Sequence, residues 1–354
     1  MKKALKIIAA ILSIALIGGI LTACESGDKA NNGSPAGNEA TGSVSLQGGK
    51  DIFNDPIKIS VISISTAGVS NVMNQRALND QASAYPNIKL EFKDAEYNPN
   101  KQITLLEEAI TQGYDGVLIE AMDPVALNQA IEACEAAGIP VISFNAARPS
   151  GLHSMHIRMQ DYETGWQAAE QMSRMVGGEG TAIILDAPAI QKPSAPMGTA
   201  FQDYIEQKTN IRMLEPPISI ENWSSENAQT AMRDMLGKYG PGEITMVFCA
   251  NDDIAVGAMN AIDQANREGD ILLWGMFGYP AGLEGIRDGK MTGTMFSDVY
   301  VQLSTMFYMM LNHIMTGLNS VTAGYTETPF IQMPMFPVTS ENINDIMAAS
   351  RWFS

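Results

Sequence analysis

The stretch FCANDDIAVGAMNAI, residues 248–262, joins an apolar run to a helical pattern through three polar residues. The apolar run Met246–Ala250 is typical of a strand buried on both faces, and small apolar residues then recur at helical spacing. Ligands of open α/β sheets bind beyond the carboxyl ends of the parallel strands. We therefore expect Asn251 to face a cleft, with Asp252 as the N-cap of the helix and Asp253 in its first turn.

Strand and helix patterns alternate on both sides of this stretch. Short apolar runs predict strands at 57–65, 88–92, 117–119, 139–144, 181–185, 212–214, 246–250 and 271–274. Helical spacing predicts helices at 70–84, 99–112, 124–137, 165–176, 198–208, 225–238 and 253–266. This order predicts an α/β fold in which helices cover both faces of doubly wound parallel sheets.

Two segments of the chain share one layout and indicate two similar lobes. Each runs from a strand through an acid-capped helix to a second strand, one starting at Tyr114 and the other at Glu243. In the first, Asp123 suits the N-cap, Pro124 suits the first helical position, and Gly138 ends the helix. Asp123 is also a candidate ligand-binding residue.

The N-terminus has the pattern of a secreted lipoprotein. Residues 1–23 combine a basic start with a short apolar run, which predicts a signal peptide, and the run is shorter than a spanning helix needs. The sequence LTAC, ending at Cys24, resembles a bacterial lipobox with Cys24 as the lipidated residue. Residues 24–55 are rich in Gly, Asn, Ser and Ala and predict a flexible tether. We expect an extracytoplasmic protein held at the cell membrane by lipid.

Composition excludes several classes of function. The net charge of −17 argues against binding to nucleic acid, which calls for a basic surface. Motifs of dinucleotide, ATP, zinc-protease and serine-hydrolase sites are missing, so no enzyme activity, cofactor or metal is expected. His153 and His156 lack a nearby third metal ligand. Cys134 and Cys249 lie in apolar runs and are interpreted as buried small residues, with a disulfide as the alternative.

The lipobox, the tether and the two Rossmann-like lobes resemble the bacterial ABC-transporter solute-binding proteins of the ribose-binding class. The resemblance covers about residues 57–335, and five segments carry it. They are NP at 98–99, YDGVLIEAMDPVAL at 114–127, AAGIPVISF at 136–144, the opening stretch, and LLWGMFGYPAGLEGIRDGKMTGTM at 272–295.

The resemblance implies a hinge in which the chain crosses between the lobes three times. The crossings are expected near Ile157–Gln160, Met295–Asp298 and Tyr325–Thr328. The first lobe is then 56–158 plus 298–326, and the second is 159–297 plus 327–354.

The resemblance also implies binding residues between the lobes. Asn251 matches a ligand-binding Asn, Trp223 matches an aromatic position from the second lobe, and Ser297, followed by Asp298, falls near a polar position at the second crossing. Polar side chains would hold hydroxyl groups, and an aromatic face would cover the apolar side of a ring.

Three positions depart from the pattern of the family's sugar binders. Asn145 and Phe277 stand where an Asp is usual, and Met197 stands where an Arg is usual. Charged contacts are among the stronger polar contacts, so their loss predicts a more apolar, less charged pocket that does not hold an ordinary aldopentose or aldohexose in the usual way. Relatives that bind autoinducer-2 also lack the last Asp, so a small furanosyl or other atypical ligand is one candidate.

The resemblance implies a monomeric receptor that delivers a sugar-like molecule to an ABC permease. The alternative function is a receptor that presents the same ligand to a membrane sensor, in chemotaxis, quorum sensing or two-component signalling. A hydrolase on the same scaffold is the third hypothesis, and it requires turnover of a bound compound.

Overall fold

The computed structural model describes residues 48–354 except 68, 146, 147, 160, 190–195, 352 and 354, and omits the side chain of residue 161. The predicted signal peptide, Cys24 and the tether up to residue 47 lie outside the described residues. Within the described ranges, no helix is both long enough and apolar enough to cross a membrane.

Strands and helices alternate along the described chain, as expected for an α/β protein. The strands are β1 (Ile57–Ser63), β2 (Ile88–Asp94), β3 (Gly116–Ile119), β4 (Val141–Phe144), β5 (Met155–Met159), β6 (Glu179–Asp186), β7 (Asn210–Met213), β8 (Ile218–Ser219), β9 (Met246–Cys249), β10 (Leu272–Phe277), β11 (Gly293–Phe296), β12 (Phe330–Met333) and β13 (Phe336–Thr339). The helices are α1 (Val69–Ala82), α2 (Pro99–Thr111), α3 (Asn128–Ala136), α4 (Asp161–Met175), α5 (Met197–Lys208), α6 (Ser225–Lys238), α7 (Asp252–Gln264), α8 (Pro280–Arg287), α9 (Val299–Thr316) and α10 (Ile343–Ala349).

The first lobe is built on a six-stranded sheet in the order β12-β5-β4-β3-β1-β2, and all its pairings are parallel. Helices α1 and α9 cover one face, where Leu78 and Phe307 are buried in one apolar cluster. Helices α2 and α3 cover the other face, where Leu106 and Ile131 are buried in another. Because both faces are covered, strands such as β3 and β4 are buried along their whole length.

The second lobe contains a sheet in the order β13-β11-β10-β9-β6-β7, with the short β8 beside β6. Its pairings are parallel except that of β13 with β11, which is antiparallel. A single apolar cluster spans this lobe and includes the stacked rings of Phe201 and Phe248, 4.6 Å apart. The two sheets confirm the predicted α/β class with two doubly wound lobes.

The chain changes sheets between β5 and α4, between β11 and α9, and between β12 and β13. The third crossing lies later than Tyr325–Thr328, because residues 330–333 still pair with β5 in the first sheet. The predicted end of the first lobe at residue 326 is therefore too early. The sequence of residues 325–328, YTET, gives no local sign that the chain stays in the first sheet until residue 333.

The predicted tether is wrong at its C-terminal end. Lys50 donates from its backbone N–H to the carbonyl of Ile314 and forms an ion pair with Asp115 at 2.6 Å. The ring of Phe53 stacks on Tyr85 with centroids 5.9 Å apart. Residues 50–55 are thus part of the first lobe, held by contacts with distant segments that local composition does not reveal.

The helix predicted to begin at Pro124 begins at Asn128. Asp123 still acts as a cap, since its Oδ1 accepts hydrogen bonds at 2.9 Å from the N–H groups of Val125 and Ala126. Those N–H groups belong to a turn that precedes α3.

Candidate functional site

Side chains at the carboxyl ends of strands from both lobes surround one cavity of about 380 Å³. Glu120 and Asn145 follow β3 and β4 in the first lobe, whereas Asn251 follows β9 in the second. Parallel strands bring their carboxyl ends to one edge, and here the edges of both sheets face the same space. The cavity is therefore formed jointly by the two lobes.

Five of the predicted binding residues line this cavity. They are Asn145, Met197, Trp223, Asn251 and Phe277. Their shared placement agrees with the expected cleft, and their contact with a ligand stays a prediction.

The other three predicted residues, Asp123, Ser297 and Asp298, lie outside the described cavity lining. Asp123 caps the turn before α3, and Asp298 is the N-cap of α9, with its Oδ1 accepting from the N–H of Tyr300 at 2.9 Å. Ser297 is buried with 3% of its surface exposed. We therefore do not retain these residues as ligand contacts.

Several lining residues have a left-handed backbone, which is uncommon outside glycine. Among the described non-glycine residues with positive φ, five line the cavity: Tyr97, Asn145, Asn222, Trp223 and Phe277. Such conformations cost free energy and cluster at functional sites, where the surrounding structure maintains them. The chain thus concentrates local strain at this cavity.

The prediction that Asp252 caps α7 is wrong, because Asn251 has that role. Asn251 has extended backbone angles and is the N-cap of α7, and its Oδ1 accepts from the N–H of Ile254 at 2.8 Å. Asp252 is the first helical residue, one position too late to cap. Asn251 still lines the cavity, and its Nδ2 amide carries the two donors that capping does not use.

Asp252 instead connects α7 to the loop before α8 and to strand β11. Its side chain is fully buried, with Oδ2 accepting from the N–H of Tyr279 at 2.6 Å and Oδ1 hydrogen-bonded to Thr294 Oγ1 at 2.7 Å. Burial raises the pKa of Asp252 to about 8, against these hydrogen bonds, which lower it. At pH values below this pKa the carboxyl is mostly protonated, and its Oδ1 accepts the hydrogen bond that Thr294 Oγ1 donates.

The unfolding of the protein should depend on pH through Asp252. A carboxyl whose pKa is higher in the folded state holds its proton more tightly there, so the free energy of unfolding should fall as pH rises from about 4 to about 8. Asp252→Asn presents an amide in place of the protonated carboxyl and should weaken that fall. Urea unfolding of both proteins at pH 5 and pH 8 measures the difference, and equal pH dependence in the two would contradict the role assigned to Asp252.

Two substitutions at Asn251 should separate capping from ligand binding. Asn251→Ala removes the cap and should lower the free energy of unfolding by about 0.5–2 kcal/mol. Asn251→Ser keeps a good capping oxygen but lacks the amide donors, so it should unfold like the wild type. Both variants should lose affinity by about 1–3 kcal/mol, because a buried ligand group loses its partner. Thermal unfolding and calorimetric titration test this, and full affinity in Asn251→Ser would restrict Asn251 to capping.

Several lining residues were not predicted, and among them are the titratable residues Tyr97, Glu120, Asp253 and Tyr279. Glu120 directly follows β3, so the strand-end rule that indicated Asn251 could have found it. No sequence signal marks Tyr97 or Tyr279, which lie in loops beyond β2 and β10. Two carboxyl groups line the cavity, and the prediction that the pocket is less charged than in the family's sugar binders stays a prediction.

Asn145 connects Glu120 to the helix that follows the second crossing. Its Oδ1 accepts from Gln302 Nε2 at 2.9 Å, and its Nδ2 approaches Glu120 Oε1 at 3.5 Å. Burial raises the pKa of Glu120 to about 7, although hydrogen bonds from Asn145 and from the backbone of Ile64 lower it. Burial also raises the pKa of Asp253 to about 6.

The two histidines weighed as metal ligands share a buried serine. Ser143 Oγ lies 2.7 Å from His153 Nε2 and 2.7 Å from His156 Nδ1. His153 Nδ1 also lies 2.7 Å from the carbonyl of Gly151. Burial lowers the pKa of both rings, so they are neutral at pH 7 and contribute to the packing of the first lobe.

Comparison with known proteins identifies a family and several relatives. The family model for the periplasmic binding protein domain matches residues 60–318. A xylitol-binding protein of Mycolicibacterium smegmatis is 26% identical over 218 residues, which are 62% of this chain and 61% of that protein. A ribose import binding protein of Bacillus subtilis is 26% identical over 207 residues, which are 58% of this chain and 65% of that protein. The match thus spans less than two thirds of either relative.

The fold agrees with solved structures. An ABC-transporter solute-binding protein from Bacillus halodurans with bound myo-inositol superposes with a TM-score of 0.71 at 21% identity. The superposition covers 83% of this chain and 98% of that one. At this identity the agreement concerns the fold.

Proposed function

We infer the function of this chain from its family, because it belongs to the periplasmic binding protein domain family. We propose that it is the extracytoplasmic solute receptor of an ABC importer and that it binds a sugar-like molecule between its lobes. In this proposal the loaded receptor, a monomer without enzymatic activity, delivers its ligand to a permease. The likeness to relatives named for xylitol and ribose import supports transport over presentation to a sensor.

The cavity between the lobes is the observation that carries this proposal. Polar groups from both lobes face it, among them Asn145 and Asn251, while Trp223 and Phe277 supply aromatic surface. A few polar groups within an otherwise apolar concavity are what small-molecule sites require. A compound held by both lobes would favour their closed arrangement over an open one.

Binding and closure can be measured together on the mature protein. A thermal-shift screen of sugars, polyols, nucleosides and autoinducer-2 should find a compound that raises the melting temperature, because a ligand that binds only the folded state stabilises it. That compound should also reduce the radius of gyration in solution scattering. A screen without any stabilising compound, or a saturating ligand that leaves the scattering curve unchanged, would contradict the proposal.

We also propose that Cys24 carries the lipid that holds the receptor at the membrane. The basic and apolar residues before LTAC support this assignment. Cys24→Ser should abolish incorporation of labelled palmitate and release the protein into the medium. A variant such as Ser26→Ala, which keeps the cysteine, is the matched control, and unchanged labelling of Cys24→Ser would refute the anchor.

A further inference from the structure

The charges around the cavity all have one sign among the described residues. Glu120 contributes a carboxyl from the first lobe and Asp253 contributes one from the second. No lysine, arginine or histidine is among the described lining residues. Ionisation of both acids would therefore place two negative charges beside a ligand with no cation in the described lining to balance them.

Both carboxyl groups line the same cavity as the phenol of Tyr279. Burial raises the pKa of the Tyr279 phenol, and the charges of Asp253, Asp252 and Glu120 raise it further. One phenol thus interacts with both acids. Ser70 of α1 hydrogen-bonds to the same Tyr279, the N-cap residue of α8 in the other lobe, so this phenol lies where the lobes meet. The two acids thus face one shared space from opposite lobes.

A neutral ligand would leave this charge uncompensated. Closing the lobes over a sugar removes water from both carboxyl groups, and a buried charge without a partner is costly. One remedy is protonation, which the raised pKa values of Glu120 and Asp253 already indicate. The other is a positive charge on the ligand, which keeps both acids ionised and forms charge-assisted hydrogen bonds.

The aromatic lining suits the same kind of ligand. Phe277 and Tyr279 stack with ring centroids 5.9 Å apart, and Tyr97 and Trp223 also line the cavity. Aromatic faces attract cations as well as the apolar faces of sugar rings. The amide of Asn251 remains a donor for a hydroxyl group on the same molecule.

We propose that the ligand is a polyhydroxylated amine, an amino sugar or aminocyclitol, whose ammonium group binds between Glu120 and Asp253. This inference rests on the proposed function and specifies the class of compound that the receptor takes. An ammonium offers three donors and no acceptor, which matches two carboxylates in a site without described cations.

Matched pairs of compounds test the charge directly. The probes are D-glucose with D-glucosamine, D-galactose with D-galactosamine, and myo-inositol with its monoamino derivatives, titrated calorimetrically at pH 7. The N-acetylated amines keep the nitrogen and lose the charge. In at least one pair, the amine should bind at least tenfold more tightly than both its neutral partner and its N-acetyl form.

Isosteric variants locate the effect. Combining Glu120→Gln with Asp253→Asn should remove the preference for the amine, whereas Glu107→Gln, on the exposed side of α2, should retain it. A preference that survives the double variant would overturn the assignment to these two acids. Equal or tighter binding of the neutral partners would overturn the charged ligand and leave the proposed function standing. Failure of every amine likewise overturns this inference, and failure of the whole panel overturns the proposed function as well.

Discussion

Replacing Trp223 with alanine should weaken ligand binding by about 2–3 kcal/mol, roughly 30- to 150-fold in the dissociation constant. The residue ends the turn Glu221–Trp223 that leads into α6, and it lines the cavity from the second lobe. An aromatic ring of this size can cover a large apolar area of a ligand, and alanine covers almost none. Removing the ring of Trp223 should therefore weaken ligand binding.

The measurement is calorimetric titration of both proteins with the tightest compound of the screen. Trp223→Phe keeps a ring and should recover most of the affinity. Trp166→Ala is the matched control, because Trp166 packs edge-on against Tyr204 at 5.1 Å and does not line the cavity. That variant should lose stability and keep affinity. Wild-type affinity in Trp223→Ala would exclude Trp223 from the site.

Replacing Gly257 with alanine should destabilise the second lobe by about 2–3 kcal/mol. Gly257 is buried in α7 where this helix packs closely against α6. A Cβ there would overlap the carbonyl oxygen of Ser225 and lie 2.8 Å from the Cβ of Ala228. The backbone of α6 cannot move aside without disturbing its own packing, so the two helices would be forced apart.

Gly237→Ala is the matched control for this prediction. Gly237 is exposed in α6, and a Cβ at that position would meet no atom within 4 Å. Alanine has the higher helix propensity, so this variant should gain about 0.5–1 kcal/mol. Urea unfolding of the two variants should shift in opposite directions. A neutral or stabilising Gly257→Ala would mean that α6 and α7 are less tightly packed than described.

The α/β class could be predicted because its signals are local. A parallel strand covered on both faces is a short apolar run, and a covering helix repeats its apolar residues every three to four positions. Both patterns lie within a few consecutive residues, as in the stretch from Phe248 to Ile262. The strand-end rule then indicated Asn251 as a residue of the cleft, whereas Asn145 was implied by the resemblance to the family.

Two predictions were wrong. One failed because two adjacent residues could both cap α7, and the other because no sequence pattern indicated the edge strand at 330–333. Asn and Asp cap helices equally well, so the sequence could not decide whether Asn251 or Asp252 accepts from the first turn. The turn of the backbone after β9 made Asn251 the cap and buried Asp252 against Thr294. Residues 330–333 join the first sheet as an edge strand, a placement that depends on contact with β5.

The acidic character of the cavity depends on residues far apart in the chain. Glu120 and Asp253 are separated by more than a hundred positions, and only Glu120, directly after β3, carries a local sign of a binding residue. Local periodicity determines which segments become strands and helices, since it reflects which faces must be buried. Which side chains share a cavity is decided by how the two sheets face each other, because that arrangement alone brings their strand ends together.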